Sequence, residues 1–323
     1  MSAAALLHPR TLSYLLLPPM LWAANAVVGR MMVGVLPPVA MNAIRWVIVA
    51  VLLMPLSWRL LRDHAAIRSR WVYLAAIGIL GVGTYNALQY LALHTSSPLN
   101  VTLIGASVPV WMMLVGWLGF GQRLHVRQGC GALLSIVGVL LVIAQGQWAV
   151  LRAVRLVPGD LLVLVASLAW AIYSWLLAKP PESMQGPHRP SWNWAAFLQI
   201  QVLFGVIWAG LCTALEAWVN ESGWSALWPH TWAAWGALLF MAVGPSIVAY
   251  RNWGLGVQSV GPTMAAFFGN LTPVFAALWS ALLLGQRPDW YHPLALLLIM
   301  AGIAVSAQRP SAKAPRVLSA DSR

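Results

Sequence analysis

Charge is scarce in this chain. Asp, Glu, Lys and Arg together make up 8% of its 323 residues, and only 7 of them are acidic. The acids Asp63, Asp160, Glu182, Glu216, Glu221, Asp289 and Asp321 lie far apart, at the ends of apolar runs, between them or in the tail. No carboxylate pair for acid–base chemistry and no acidic metal cluster is on offer. Cysteine is rarer still: Cys130 and Cys212 each sit inside an apolar run, which excludes a disulfide framework and a thiolate metal site. The histidines His8, His64, His125, His188, His230 and His292 stand isolated, and no HxxxxD-like pair or phosphate-binding loop accompanies them. The chain is therefore not expected to be an enzyme, nor to carry a cofactor or metal.

Apolar residues fill the space instead. They make up 60% of the chain, and the mean hydropathy is +0.75, far outside the range of a soluble protein. They come in repeated runs of about 20 residues, the length that crosses roughly 30 Å of hydrocarbon, and not in short periodic stripes. With Pro, Gly and charge clusters as breaks, spans are predicted at 12–33, 38–57, 71–93, 98–119, 127–144, 160–178, 192–214, 233–255, 261–284 and 292–307. The fold class is thus an all-α polytopic membrane protein of ten transmembrane helices. Ala24-Asn25-Ala26 resembles a signal-peptidase site, but further spans follow at once and the first run reads as a retained helix. The stretch from Trp218 to Trp235 reads as an interfacial connection, and the polar tail from about Gln308 is expected to be disordered.

A formal charge of +12 would point to nucleic acid if the basic residues formed a surface patch, but they occupy the short connections between apolar runs. One side holds Arg10, Arg59, Arg62, Arg68, Arg70, Arg123, Arg127, Lys179, Arg189, Arg251, Arg309, Lys313, Arg316 and Arg323; the other holds Arg30, Arg152, Arg155 and Arg287. Fourteen against four places both termini in the cytoplasm, with a bacterial inner membrane as the expected setting and the lipid bilayer as the partner.

Sliding the chain along itself by 164 positions carries Pro98 onto Pro262, Gly105 onto Gly269, Pro109 onto Pro273, Gly121-Gln122-Arg123 onto Gly285-Gln286-Arg287, and Gly138 onto Gly302, without a gap. Five spans separate equivalent helices, and an odd number of crossings reverses direction. The expected organisation is a first five-helix repeat at 1–146, a second, inverted one at 147–308, and a cytoplasmic tail at 309–323. Inverted repeats are an architecture that lets a carrier alternate access around a site near the bilayer midplane.

Trp22 with Asn25 in the first helix, Pro38 with Arg45 in the second, and a mid-helix Pro followed by a Gly-x-Arg loop in both halves resemble the drug/metabolite transporter superfamily. Within it the chain is similar to the EamA-type carriers, and most to the YddG-type aromatic amino-acid exporters, over essentially its whole length. The resemblance also suggests a structural role for Arg45. Such families place Glu in the loop where both copies here have Gln, Gln122 and Gln286, so no role of that Glu carries over.

Polar and aromatic groups in spans mark the bundle interior. Trp22 and Asn25 share a face; Tyr85 with Gln89 and Asn86 with Tyr90 are i, i+4 pairs; Trp170 pairs with Tyr173 and Tyr250 with Trp253; Asn270 follows Gly269. Together they outline a cavity with aromatic walls and amide ends, which suits a small zwitterion such as an amino acid. Nucleosides, sugars or drugs would also fit aromatic walls, and a non-transporting scaffold or receptor is the competing class.

Pro109 and Pro273 are expected to free the carbonyls of Gly105 and Gly269 and to act as paired hinges, against the alternative of static kinks. Arg251 could attract a substrate carboxylate or simply follow the charge bias, Arg45 is expected to snorkel to headgroups, and His94 is a candidate for pH sensitivity. The small-residue face from Gly131 to Ser135, with Gly138, could pack within the monomer or between monomers, leaving the oligomeric state open. Ion coupling usually employs an acid within a span, and the acids here stand at span ends. An imposed pH gradient across proteoliposomes is therefore expected to drive no uphill accumulation of solute; accumulation would overturn this reading.

Overall fold

The computed structural model describes residues 8–32, 34–92, 95–219, 228–285 and 289–307. His94, Gln286, Arg287 and the tail 309–323 fall outside the described residues, as do 220–227 of the Trp218–Trp235 stretch. The helices in chain order are α1 (Pro9–Met31), α2 (Pro38–Ser57), α3 (His64–Ala92), α4 (Pro98–Gly105 and Val108–Phe120), α5 (Val126–Ile143), α6 (Pro158–Ala178), α7 (Trp194–Val219), α8 (Trp232–Val260), α9 (Pro262–Gly269 and Thr272–Leu284) and α10 (Tyr291–Ala307). Nine of these, among the described residues, are long and apolar enough to cross a membrane. The remaining one, α10, has 17 residues, about 26 Å of helix.

Local chemistry sets the ends. Pro38, Pro98, Pro158 and Pro262 open their helices, where the missing N–H costs nothing because the first donors of a helix have no internal partner. Asp63 accepts from Ala66 N at 3.3 Å, Ser97 from Asn100 N at 3.1 Å and Thr231 from Ala234 N at 3.2 Å, capping α3, α4 and α8. Gly121 and Gly285 end α4 and α9 in the left-handed region, at φ +63° and +67°. The Gln122 N–H then bonds back to Gly116 O at 2.9 Å. The glycine that opens each Gly-Gln-Arg tripeptide therefore stops its helix by supplying the backbone conformation.

The repeat is carried in the backbone. The two segments of α4 map onto those of α9 at the same offset of 164, and so do two π-helical turns that the sequence did not disclose, Gly78–Thr84 in α3 and Ala242–Val248 in α8. Such turns insert an extra residue into an α-helix and are frequent at functional sites. In α8, Pro245 cannot donate, and Ser246 Oγ fills in by donating to Met241 O at 2.9 Å. In α3 the turn is glycine-rich, and the glycines admit close neighbours. A Cβ on Gly78 would stand 2.6 Å from Gln201 O of α7, and one on Gly81 would stand 2.5 Å from the Tyr173 ring of α6.

The prolines of α4 and α9 do something other than kink a continuous helix. Each helix breaks in the two residues before its second segment, and Pro109 and Pro273 sit in the first turn of that segment as helix starters. The carbonyl expected to stand open at Gly269 accepts from Thr272 Oγ1 at 2.7 Å, and Ile104 O accepts from Ser107 Oγ at 2.6 Å. A Cβ on Gly105 or Gly269 would meet nothing within 4 Å, so neither glycine is needed for close packing. These breaks are capped locally, as a bilayer demands of any interrupted helix.

The helices α5 and α10 pack face to face. A Cβ on Gly131 would lie 2.6 Å from Gly302 O, and one on Gly302 would lie 2.6 Å from Gly131 O. Under the offset, the 131–302 contact maps onto 295–138, and there a Cβ on Gly138 would lie 2.9 Å from Ala295 O. The small-residue face is thus consumed within the monomer. We expect Gly131→Ala and Gly302→Ala each to destabilise the protein by roughly 1–3 kcal/mol through overpacking against a backbone carbonyl. Gly129→Ala, whose Cβ meets nothing, serves as the neutral control in thermal melts in detergent.

Candidate functional site

Seven rings meet where α1, α2, α3, α6 and α8 converge. Trp170 is the hub, with Tyr85 stacked on it at 4.6 Å, Tyr173 at 5.1 Å, Trp253 at 5.3 Å, Trp22 at 5.5 Å and Tyr250 at 5.6 Å between ring centroids. Trp46 meets Tyr250 edge to face at 5.0 Å. These separations are those of rings in direct contact, each pair adding about 0.5–1.5 kcal/mol beyond burial. Trp170, Tyr173 and Trp253 are each 2% exposed or less. The rings fill the region expected to be an open cavity.

The polar tips of the rings are tied to the backbone. Tyr250 OH donates to Gly81 O at 2.8 Å, and Trp22 Nε1 donates to Pro245 O at 3.2 Å. Gly81 and Pro245 are repeat equivalents, so the same carbonyl of each π turn takes an aromatic donor from another helix. Trp253 Nε1 donates to Ser174 Oγ at 3.1 Å, which donates on to Trp170 O at 2.8 Å. Tyr173 OH donates to Gln201 Oε1 at 3.2 Å. Asn86 Nδ2 donates to Tyr250 OH at 3.1 Å, across a separation of 164 residues that makes the two side chains each other's repeat mates.

Of the residues singled out from the sequence, Trp22, Tyr85, Asn86, Trp170, Tyr173, Tyr250 and Trp253 come together. Gln89, one turn beyond Tyr85 on α3, is half-buried. Tyr90 packs mainly on a separate apolar cluster around Met32, Met41, Leu238 and Met241. Asn25 is half-buried with its Oδ1 unpartnered. Asn270 stands apart: its Nδ2 donates to Ser135 Oγ at 2.8 Å and to Ala106 O at 3.3 Å, clamping the α9 break to the α4 break and α5. Arg251 also stands apart, exposed, with its guanidinium 4.4 Å from the Trp194 ring.

Arg45 departs from expectation in its burial. It does not snorkel; it is 3% exposed, with Nη2 donating to Asn42 Oδ1 at 2.7 Å. Its neighbour Trp46, fully buried, joins the ring cluster without having been singled out, and Gln199 and Gln201 are likewise buried in α7. An amide within an apolar run is the signal that marks the two glutamines; nothing in the pattern around Trp46 distinguishes it from packing. Asp160, at the start of α6, accepts from Ser96 Oγ, Asn100 Nδ2 and Val157 N, so its carboxylate is committed to joining the α3–α4 connection to α6. Near the junction of α4 and α5 opens a cavity of about 380 Å³, lined by Gln122, Arg123, His125, Gln128, Trp175 and Thr263 among others.

Comparison with known proteins returns one family twice. The sequence profile of the EamA-like transporter family matches residues 10–144 and again 157–308. A protein of Escherichia coli strain K12 named a probable amino-acid metabolite efflux pump is 25% identical over 88% of this chain and 90% of its own length. The aromatic amino acid exporter YddG of Ancylobacter novellus is 23% identical over 73% of this chain and 75% of its own. A crystal structure superposes with a TM-score of 0.68 at 21% identity, over 95% of this chain and 97% of that one, which establishes a shared fold.

Tyr250→Phe removes a donor to Gly81 O and the acceptor of Asn86 Nδ2, a cost of roughly 1–3 kcal/mol. In a thermal-melt cycle with Asn86→Ala the two losses are expected to be non-additive by at least about 0.5 kcal/mol. Additive losses would show that the pair is not coupled.

Proposed function

The chain belongs to the EamA-like transporter family, and from that premise we propose that it exports amino acids with aromatic or apolar side chains. The reading is of ten spans in two inverted repeats, both termini in the cytoplasm of a bacterial inner membrane, and alternating access around the ring cluster. The observation that carries it is the cluster itself. Its rings offer stacking faces to an aromatic or apolar side chain, and their polar tips hold the equivalent carbonyls of the two π turns. A solute that displaces Tyr250 or Trp22 releases a backbone carbonyl in the opposite half, which links occupancy of the site to the shape of α3 and α8. The efflux and exporter names of the two relatives support the same direction and substrate class.

The test is counterflow in proteoliposomes with labelled phenylalanine, tryptophan and leucine against uridine and glucose. Amino-acid exchange well above protein-free vesicles is the expected outcome. Exchange confined to the nucleoside or the sugar would replace the substrate class, and no exchange of any solute would favour a scaffold or receptor.

A further inference from the structure

One turn of α2 holds an arrangement that packing does not explain. Asn42, Arg45 and Trp46, at i, i+3 and i+4, share a face, and all three are buried, at 1%, 3% and 0% exposure. The guanidinium donates to Asn42 Oδ1 and lies 5.1 Å from the Trp46 ring centroid. Three polar atoms of this turn are buried with no hydrogen-bond partner: Arg45 Nε, Trp46 Nε1 and Asn42 Nδ2. All three are donors. A guanidinium whose Nε has no partner, flanked by two further N–H groups without one, is complementary to an oxyanion.

Among the described residues no carboxylate pairs with Arg45. No Asp or Glu occurs in α1, α2, α8 or the part of α3 beyond His64, and the one acid in α7, Glu216, is near that helix's end. Asp160 is already held by three donors. A buried lone cation is costly, and a single amide acceptor answers only one of its five N–H groups. The position also has a direction. Trp46 meets Tyr250, and Tyr250 meets Trp170 and Trp22, so the donor turn forms one end of the ring cluster. At the Trp22 end, Asn25 Oδ1 is a buried acceptor without a partner, one turn along the same helix.

We propose that the Asn42–Arg45–Trp46 turn seats a carboxylate, and that this is the carboxylate of the transported solute, whose aromatic or apolar part is held by the rings. The identity of the solute rests on the export reading above; the anion site itself does not. Arg45 supplies a two-pronged contact through Nε and a terminal nitrogen, and Trp46 Nε1 and Asn42 Nδ2 supply single donors. The same donors would take an inorganic anion, so the two sources are separated by experiment.

The purified full-length protein is melted in detergent with sodium 3-phenylpropionate, with neutral 3-phenylpropionamide, and with chloride titrated against sulfate at constant ionic strength. Ligand that binds only the folded protein raises the midpoint. The wild type is expected to be stabilised by the carboxylate and not by the amide. Arg45→Gln is expected to weaken that binding at least about thirtyfold, as removal of one partner of a buried charged pair does. Should Arg45→Gln not fold, Asn42→Asp places a carboxylate beside the guanidinium and is expected to keep the fold while abolishing the response. Equal stabilisation by carboxylate and amide, or a carboxylate preference that survives in either variant, would overturn the site. An Arg45-dependent shift with chloride that the phenylpropionate does not compete away would overturn the assignment to the solute. An Arg45-dependent carboxylate response in a protein that exchanges no amino acid would leave the site standing and remove the export reading.

Discussion

Two hydrogen bonds in this protein join a residue to its own counterpart in the other half: Asn86 to Tyr250, and Asn270 to the Ala106 carbonyl. A contact of that kind can form only on the axis relating the halves, so the two bonds fix where that axis runs. The remaining architecture follows from it. The broken helices α4 and α9 face each other across the second bond, α3 and α8 across the first, and α5 and α10 approach closely enough that their glycines touch carbonyls in a reciprocal pattern. Because a bilayer supplies no water to an interrupted helix, each interruption carries its own satisfier. Ser107 and Thr272 cap the breaks, and Ser246 serves the proline-containing π turn.

The register of the repeat is fully legible in the sequence, because Pro, Gly and Arg are unforgiving in apolar helices and hold their spacing of 164 residues. Which way side chains face is much less legible. In a soluble protein burial is written as apolar against polar, but in lipid both faces of a helix are apolar, and hydropathy loses its contrast. Trp170 at the hub and Trp117 on the outside look alike in sequence, and one is 2% and the other 51% exposed. Polar residues carry more information, and Asn86, Tyr250 and Tyr173 stand out by it. Asn270 is easily misread because its neighbour Gly269 draws attention to a carbonyl that Thr272 already caps. Arg45 is misleading because charge near a span end usually reaches water. The π turns leave a trace in the sequence, the crowding of Gly78, Gly81 and Gly83 and the Gly244–Pro245 pair, but no helical periodicity distinguishes an extra residue from none.

In the proposed binding mode the ring cluster and the donor turn on α2 divide the labour that a soluble binding pocket would combine. Rings provide area and tolerate variation in shape, while the guanidinium with two N–H groups provides a single oriented electrostatic contact in a medium of low polarity. The lack of acids in α1, α2 and α8 is part of the same arrangement, since one Asp or Glu beside Arg45 would neutralise it permanently.

The bond on the axis between Asn86 and Tyr250 is made by two unlike side chains. Were the halves chemically identical, the arrangement seen here and the one with the halves' roles exchanged would be mirror images in energy, equally populated at rest. Exchange would leave an amide, in place of a phenol, to serve the π-turn carbonyl of the other half. Two hydrogen bonds of different donors differ by on the order of 1 kcal/mol, or about fivefold in population. Under the proposed alternating access, a preference of the empty protein for one side of the membrane would be encoded at the place where its symmetry is most exact, and a single pair of substitutions there would reset it.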